Sequence, residues 1–86
     1  MSGARQVVLY GRPECHLCDE ARAMLLDLIP RAGPIAYREV DIESDDDLLR
    51  SHLERIPVIE VDGVVISALV PDRDRISAVL LQSASE

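Results

Sequence analysis

The sequence has no tryptophan and no phenylalanine, and its tyrosines are limited to Tyr10 and Tyr37. A core must therefore be built from Leu, Val and Ile. Long apolar runs are missing too. None approaches the ~20 residues of a membrane span. The stretch after the N-terminal residues, Val7 to Tyr10, is far shorter than the roughly seven to fifteen residues of a secretory segment. The expected compartment is therefore the cytoplasm, where cysteines are normally reduced and a permanent structural disulfide is not the first expectation. Positive charge is scarce: nine basic against sixteen acidic residues leave a net charge of −7. That balance argues against nucleic acid, whose phosphates would be repelled, and against docking on an anionic membrane surface. Its plain consequence is solubility.

What is present is enough for one small domain spanning 1–86, with 48% hydrophobic residues. A chain this short buries a little over ~60% of its unfolded surface, so the core is small. Fraying is expected at 1–5 and 82–86. Val7-Val8-Leu9-Tyr10 reads as a buried strand, ended by Gly11-Arg12-Pro13. Cys18, Ala21, Leu25, Leu28 and Ile29 then fall at helical spacing, with Asp19 and Glu20 favourable near the helix N-terminus. Pro30 and Gly33-Pro34 end that helix. Ala36 to Ile42 alternates as a strand, with Val40 and Ile42 on one face and Glu39 and Asp41 on the other. Ser44 and Asp47 resemble a capping box for a short helix whose inner face carries Leu48, Leu49 and Leu53. Pro57 begins the run Val58–Val61, Asp62-Gly63 is a hairpin signal, and Val64-Val65-Ile66 returns as a fourth strand. Pro71-Asp72 opens a last helix bearing Ile76, Val79 and Leu80. The order β-α-β-α-β-β-α predicts an α/β fold. Its first unit is a parallel crossover, its hairpin is antiparallel, and helices cover a four-stranded mixed sheet.

Cys15-His16-Leu17-Cys18 carries the chemistry. Two cysteines placed at random in a chain of this length would fall three apart in roughly 2% of arrangements, so the spacing is informative. Its position is more so, because a buried strand hands over to a helix there. The first sulfur lies beyond the helix N-terminus and the second in its first turn. Unpaired N–H groups and the partial positive charge of the helix start favour a thiolate. A free cysteine has a pKa of ~8.5, and a decrease of ~1.5 units, about 2 kcal/mol, half-ionises it at neutral pH. Arg12 adds a cation nearby, whereas Glu14 and Asp19 oppose the shift. These features make Cys15 the nucleophile and Cys18 the resolving thiol. His16 either stabilises the Cys15 thiolate or faces solvent.

Other readings of the pair are weaker. A closed zinc site takes four ligands, and besides acidic residues only His16 and His52 remain, neither at knuckle spacing. Inert core thiols, or an iron–sulfur cluster shared between subunits, are further alternatives. The run Asp41–Asp47 lacks the glycine and the final glutamate of a calcium loop, with Asp46 and His52 at those positions, and reads as a solvated strand end.

The chain resembles the thioredoxin-like superfamily and, within it, small glutaredoxin-like proteins. The resemblance rests on Leu9-Tyr10-Gly11-Arg12-Pro13 leading into Cys15-His16-Leu17-Cys18, then Arg55-Ile56-Pro57-Val58, then Asp62-Gly63. It implies a cis Ile56-Pro57 peptide facing the dithiol, a minority state for X-Pro bonds. Ile56 would offer its backbone to a substrate strand, and Arg12 would meet a glutathione carboxylate. Tyr10 is a further modulator candidate. Two departures stand out. No proline or aromatic separates the cysteines, and Ser67-Ala68-Leu69-Val70 occupies the stretch where such proteins carry Gly-Gly for the γ-glutamyl end of glutathione. The expected function is a thiol–disulfide oxidoreductase in cellular electron transfer and redox homeostasis. It would be a monomer with no permanent cofactor or metal, reducing protein or glutathione mixed disulfides. The alternative is a binding module holding metal or an iron–sulfur cluster across a dimer, or docking a protein partner.

Overall fold

In the computed structural model, which describes residues 5–82, the chain forms four strands and three helices in the expected order. They are β1 (Arg5–Gly11), α1 (His16–Leu28), β2 (Ile35–Asp41), α2 (Asp46–His52), β3 (Val58–Val61), β4 (Val64–Ala68) and α3 (Arg73–Gln82), with single 3-10 turns at Ile29–Arg31 and Ile42–Ser44. Strand order across the sheet is β2-β1-β3-β4. β1 runs parallel to β2 and antiparallel to β3, which pairs antiparallel with β4.

Alternation along β1 decides the layers. Val7 and Leu9 pair with Val61 and Ile59 and enter a core with Ala21, Leu25 and Leu28 of α1, Ile66 of β4, and Ile76 and Leu80 of α3. Leu25, Ile59, Ile76 and Leu80 are wholly buried. Removing one such side chain to Ala would cost roughly 2–5 kcal/mol, a large share of the stability of so small a domain. Val8, Tyr10 and Val58 alternate to the opposite face, where the Tyr10 ring meets His52 at the end of α2. Thus α1 and α3 share one face and α2 lies at the other.

Several local expectations need correction. Of the termini 1–5 and 82–86, Arg5 is the first residue of β1 and Gln82 the last of α3, and residues 1–4 and 83–86 lie outside the described residues. Ile42 starts a 3-10 turn rather than ending β2, and it is fully buried. The N-cap of α2 is Asp45, whose carboxylate accepts the N–H groups of Asp47 and Leu48. Ser44 instead donates its hydroxyl to the Asp41 carbonyl at 2.7 Å. An ionised carboxylate competes better than a hydroxyl for orphan N–H groups. Leu53, the C-cap of α2 with its N–H still bonded to the Leu49 carbonyl, is exposed rather than inward. The hairpin turn forms as expected, with Asp62 and Gly63 both at positive φ (51° and 85°). Between Ile59 and Glu60 the register of β3 on β4 shifts by a residue.

Asp62 does more than turn the chain. Its carboxylate accepts the Gln6 N–H at 2.8 Å and the Arg5 Nε–H at 3.1 Å, tying the hairpin to the start of β1. The Gln6 backbone bond, then Arg5, hold this carboxyl below its ordinary range. Arg73 and Arg31 do the same for Asp27, and Arg22 for Glu39. A carboxyl with a lowered folded-state pKa binds protons less readily than in the unfolded chain. Its stabilisation is therefore complete above the unfolded value, ~4, and is lost as pH falls through the folded value. The thermal midpoint is expected to drop as pH is lowered from about 5 towards 3. Asp62→Asn, which keeps a residue tolerant of positive φ, should flatten that acid limb in calorimetry; an acid limb of unchanged slope would assign the dependence to other groups.

Candidate functional site

The dithiol sits where β1 meets α1. Cys15 is the N-cap of α1 in extended conformation, and its sulfur accepts the Cys18 N–H at 3.2 Å, a bond an N-cap serine or aspartate makes with oxygen. Cys15 is half-buried, whereas Cys18 is only 1% exposed. The two are joined as a disulfide with a Cα–Cα separation of 5.2 Å, well inside the reach of such a bond. One sulfur faces outward at the helix start and the other lies behind it, one turn in.

What lets Cys18 lie there is Gly11. A Cβ on Gly11 would stand 3.0 Å from the Cys18 sulfur and 3.3 Å from its Cβ. The end of the buried strand thus passes close to the buried Cys18 sulfur. A cleft of about 310 Å³ opens beside that sulfur, bordered by Arg12 and Pro13 on one side and by Arg22, Glu39 and Asp41 on the other. Arg22 Nε donates to both Glu39 oxygens, at 3.0 and 2.9 Å, and its Nη1 to Asp19 at 2.9 Å. The Tyr37 hydroxyl donates to Glu39 at 2.8 Å. Arg22 therefore holds Glu39 ionised, while burial, then Glu39, push the Tyr37 phenol up. Asp19, which opposes a thiolate at the helix start, is partly neutralised by the same arginine.

The other residues singled out from sequence fall in different places. Arg12 Nη2 lies 2.8 Å from Glu43 in the turn after β2, so the loop cation is spoken for within the chain. His16 is 86% exposed and pairs with Glu20 at 3.0 Å, so of its two expected orientations it takes the solvent one. Tyr10 points to the face opposite α1. There its ring centroid is 4.8 Å from that of His52 and its hydroxyl 3.4 Å from Glu60. Burial, then Glu60, raise its pKa. Ile56-Pro57 is cis, as the resemblance implies. Pro57 is fully buried and Ile56 half-buried, and the Ile56 N–H donates to the His52 carbonyl at 3.0 Å.

Register places this segment beside the dithiol. Tyr10 lies opposite Val58, so the next residues, Gly11 and Pro57, stand side by side at the end of the sheet from which the cysteine loop leaves. Sequence reasoning missed Gly11 as a packing contact, Glu43 as the partner of Arg12, and Glu39 with Arg22. The only advance signal was glycine at the last position of a buried strand. Glu14 and Leu69 hold φ of 60° and 67°, a conformation that costs a side-chain-bearing residue of order 1–3 kcal/mol. Among the described residues, no group of three or more His, Cys, Asp or Glu side chains is placed to hold a metal ion.

The close approach at Gly11 carries a prediction. Gly11→Val should drive a branched side chain into Cys18 and lower stability by about 1–3 kcal/mol, read as a lower urea midpoint. An unchanged midpoint would mean that Cys18 yields without loss.

The family model described as Glutaredoxin-like domain (DUF836) matches residues 6–81. No curated protein matches the chain. Among solved structures, the chain is similar to protein Ne2328 from Nitrosomonas europaea, at 29% identity and a TM-score of 0.76, over 93% of this chain and 95% of that one. It is similar to protein XcR50 from X. campestris at 35% identity and a TM-score of 0.70, over 86% and 93% of the two chains. Mitochondrial thioredoxin 3 from Saccharomyces cerevisiae, in its oxidised form, shares the fold with a TM-score of 0.67 at 15% identity, over 92% and 78%. With a helix-capping cysteine pair and a family match over nearly its whole length, the chain has a thioredoxin-like fold and belongs to the glutaredoxin-like domain family (DUF836).

Proposed function

We propose that the protein is a thiol–disulfide oxidoreductase acting through Cys15 and Cys18 on disulfides of proteins or of glutathione. The observation that carries this reading is the division of labour between the two sulfurs. One is partly accessible at a helix N-terminus, and the other is buried directly behind it within bonding reach.

The Cys15 sulfur, as thiolate, attacks one sulfur of the substrate disulfide. A mixed disulfide forms, and the departing substrate sulfur leaves as a thiolate that takes up a proton. Cys18 then loses its proton and attacks the Cys15 sulfur, closing the Cys15–Cys18 disulfide and releasing the second substrate thiol. Two electrons pass from the dithiol to the substrate, and a thiol reductant must restore the pair. The Cys18 N–H, already directed at the Cys15 sulfur at 3.2 Å, favours negative charge there before attack. Because Cys18 adjoins Cys15 in the first turn, closure needs no large movement of the backbone.

The test separates the two roles. Reduced protein mixed with a small disulfide should lose both thiols reversibly. Cys18→Ser should stop at a stable adduct on Cys15, visible by intact mass, and Cys15→Ser should lose exchange to background. If Cys18→Ser carries no adduct while the wild type exchanges, the assignment of Cys15 as nucleophile fails. Anaerobically purified protein with the visible absorbance of an iron–sulfur cluster, and no dithiol exchange, would replace this reading with a binding module.

A further inference from the structure

The sheet ends in a row of residues whose order follows from strand register. Extending β2, β1, β3 and β4 past their common end gives Glu43, then Arg12 in the cysteine loop, then Ile56-Pro57, then Leu69-Val70. Tyr10 opposite Val58, and Val58 opposite Ala68, fix this order. The Leu69 N–H donates to the Arg55 carbonyl at 2.8 Å and holds the last two members together. The dithiol therefore has an apolar rim on one side and a closed ion pair on the other.

The apolar side is unusual on two counts. Leu69 is 51% exposed and Val70 68%. Leu69 also holds positive φ, a backbone conformation glycine would adopt freely. A large apolar residue that is both exposed and held in disfavoured backbone contributes little to folding. Exposed apolar surface beside a reactive group is the common form of a contact surface, and backbone outliers gather at binding sites. The charged side points the same way. Arg12 is the cation of the cysteine loop, and Glu43 already occupies it at 2.8 Å. An incoming carboxylate must displace Glu43 and approach a chain of net charge −7. Oxidised glutathione carries more carboxylates than ammonium groups and meets both obstacles. A neutral extended polypeptide meets neither.

We propose that the site prefers an extended polypeptide disulfide with an apolar residue next to its cysteine over a small anionic disulfide such as oxidised glutathione. Leu69 and Val70 supply the apolar contact, and Glu43 withholds Arg12 from anionic substrates. This specificity rests on the thiol–disulfide reading above and narrows its substrate class. An extended segment laid beside Ile56 would pass over the Leu69-Val70 rim and bring its disulfide to Cys15, in the manner of a strand added at a sheet end.

Three disulfides test it on the full chain: oxidised glutathione, a neutral peptide disulfide with leucine flanking its cysteine, and hydroxyethyl disulfide. Each rate is divided by that of dithiothreitol with the same disulfide, which removes intrinsic reactivity. The normalised peptide rate should exceed the glutathione rate by about tenfold or more. Glu43→Gln should raise the glutathione rate about threefold, an effect that shrinks at high salt as expected for a surface pair. Leu69→Gly, which relieves the positive φ and so is expected to fold, should lower the peptide-to-glutathione ratio about fivefold; Leu69→Asn, also suited to that backbone, should do the same. Equal normalised rates for peptide and glutathione alongside brisk hydroxyethyl disulfide exchange would overturn the specificity and leave the oxidoreductase reading standing. A ratio unmoved by Glu43→Gln and both Leu69 variants would overturn the assigned residues. Absence of exchange with all three disulfides would remove both readings together.

Discussion

The site depends on how closely β1 passes Cys18. Gly11 closes the strand with no side chain, and the Cys18 sulfur lies only 3.0 Å from where a Cβ would stand. That contact seats the first turn of α1 against the sheet. It buries Cys18 and leaves Cys15 as the cap at the helix start. The cap bond from the Cys18 N–H to the Cys15 sulfur follows from the same placement. A bulkier residue at Gly11 would not merely crowd a cysteine. It would disturb the angle at which strand hands over to helix, and with it the alignment of two sulfurs that must exchange a bond.

Around this junction the charges are sorted rather than spread. Arg22 gathers Asp19 and Glu39 on the β2 side, and Arg12 is held by Glu43 above it. The opposite side, beyond Pro57, presents Leu69 and Val70 instead. β1, β2 and β4 run the same way and bring the residues that follow them to one sheet end, where antiparallel β3 brings the residues that precede it. The order of those strands alone therefore sets which chemistry flanks the dithiol on each side. In the proposed specificity, a chain of net charge −7 that pairs Arg12 and Arg22 internally offers little to an anionic substrate.

The fold was largely legible from sequence, because periodicity reports burial directly. Val7–Tyr10, the helical spacing from Cys18 to Leu28, and Asp62-Gly63 between two apolar runs each permit one structure. Legibility failed where two neighbours competed for the same local role. Ser44 and Asp45 can both cap α2, and the carboxylate takes the N–H groups while the hydroxyl turns back to Asp41. Leu53 matches the apolar face of α2 by spacing, yet it stands at the end of that helix and is exposed. His16 and Tyr10 were candidates by proximity in sequence. One pairs with Glu20 in solvent and the other faces the far side of the sheet, because proximity along a chain does not say which face a side chain takes.

By itself the sequence determined the dithiol, its place at a strand-to-helix handover, and the roles open to its two sulfurs. Those follow from spacing within one helical turn, which is local. It also placed a proline where the third strand begins. Only the tertiary structure decided what surrounds the pair: that Gly11 touches Cys18, that Glu43 claims Arg12, that Arg22 binds Glu39, and that Leu69 stands next to Pro57. Each of these joins residues from different strands or from a strand and a helix, and strand order and register set such distances. Neither is written in any single stretch of the chain.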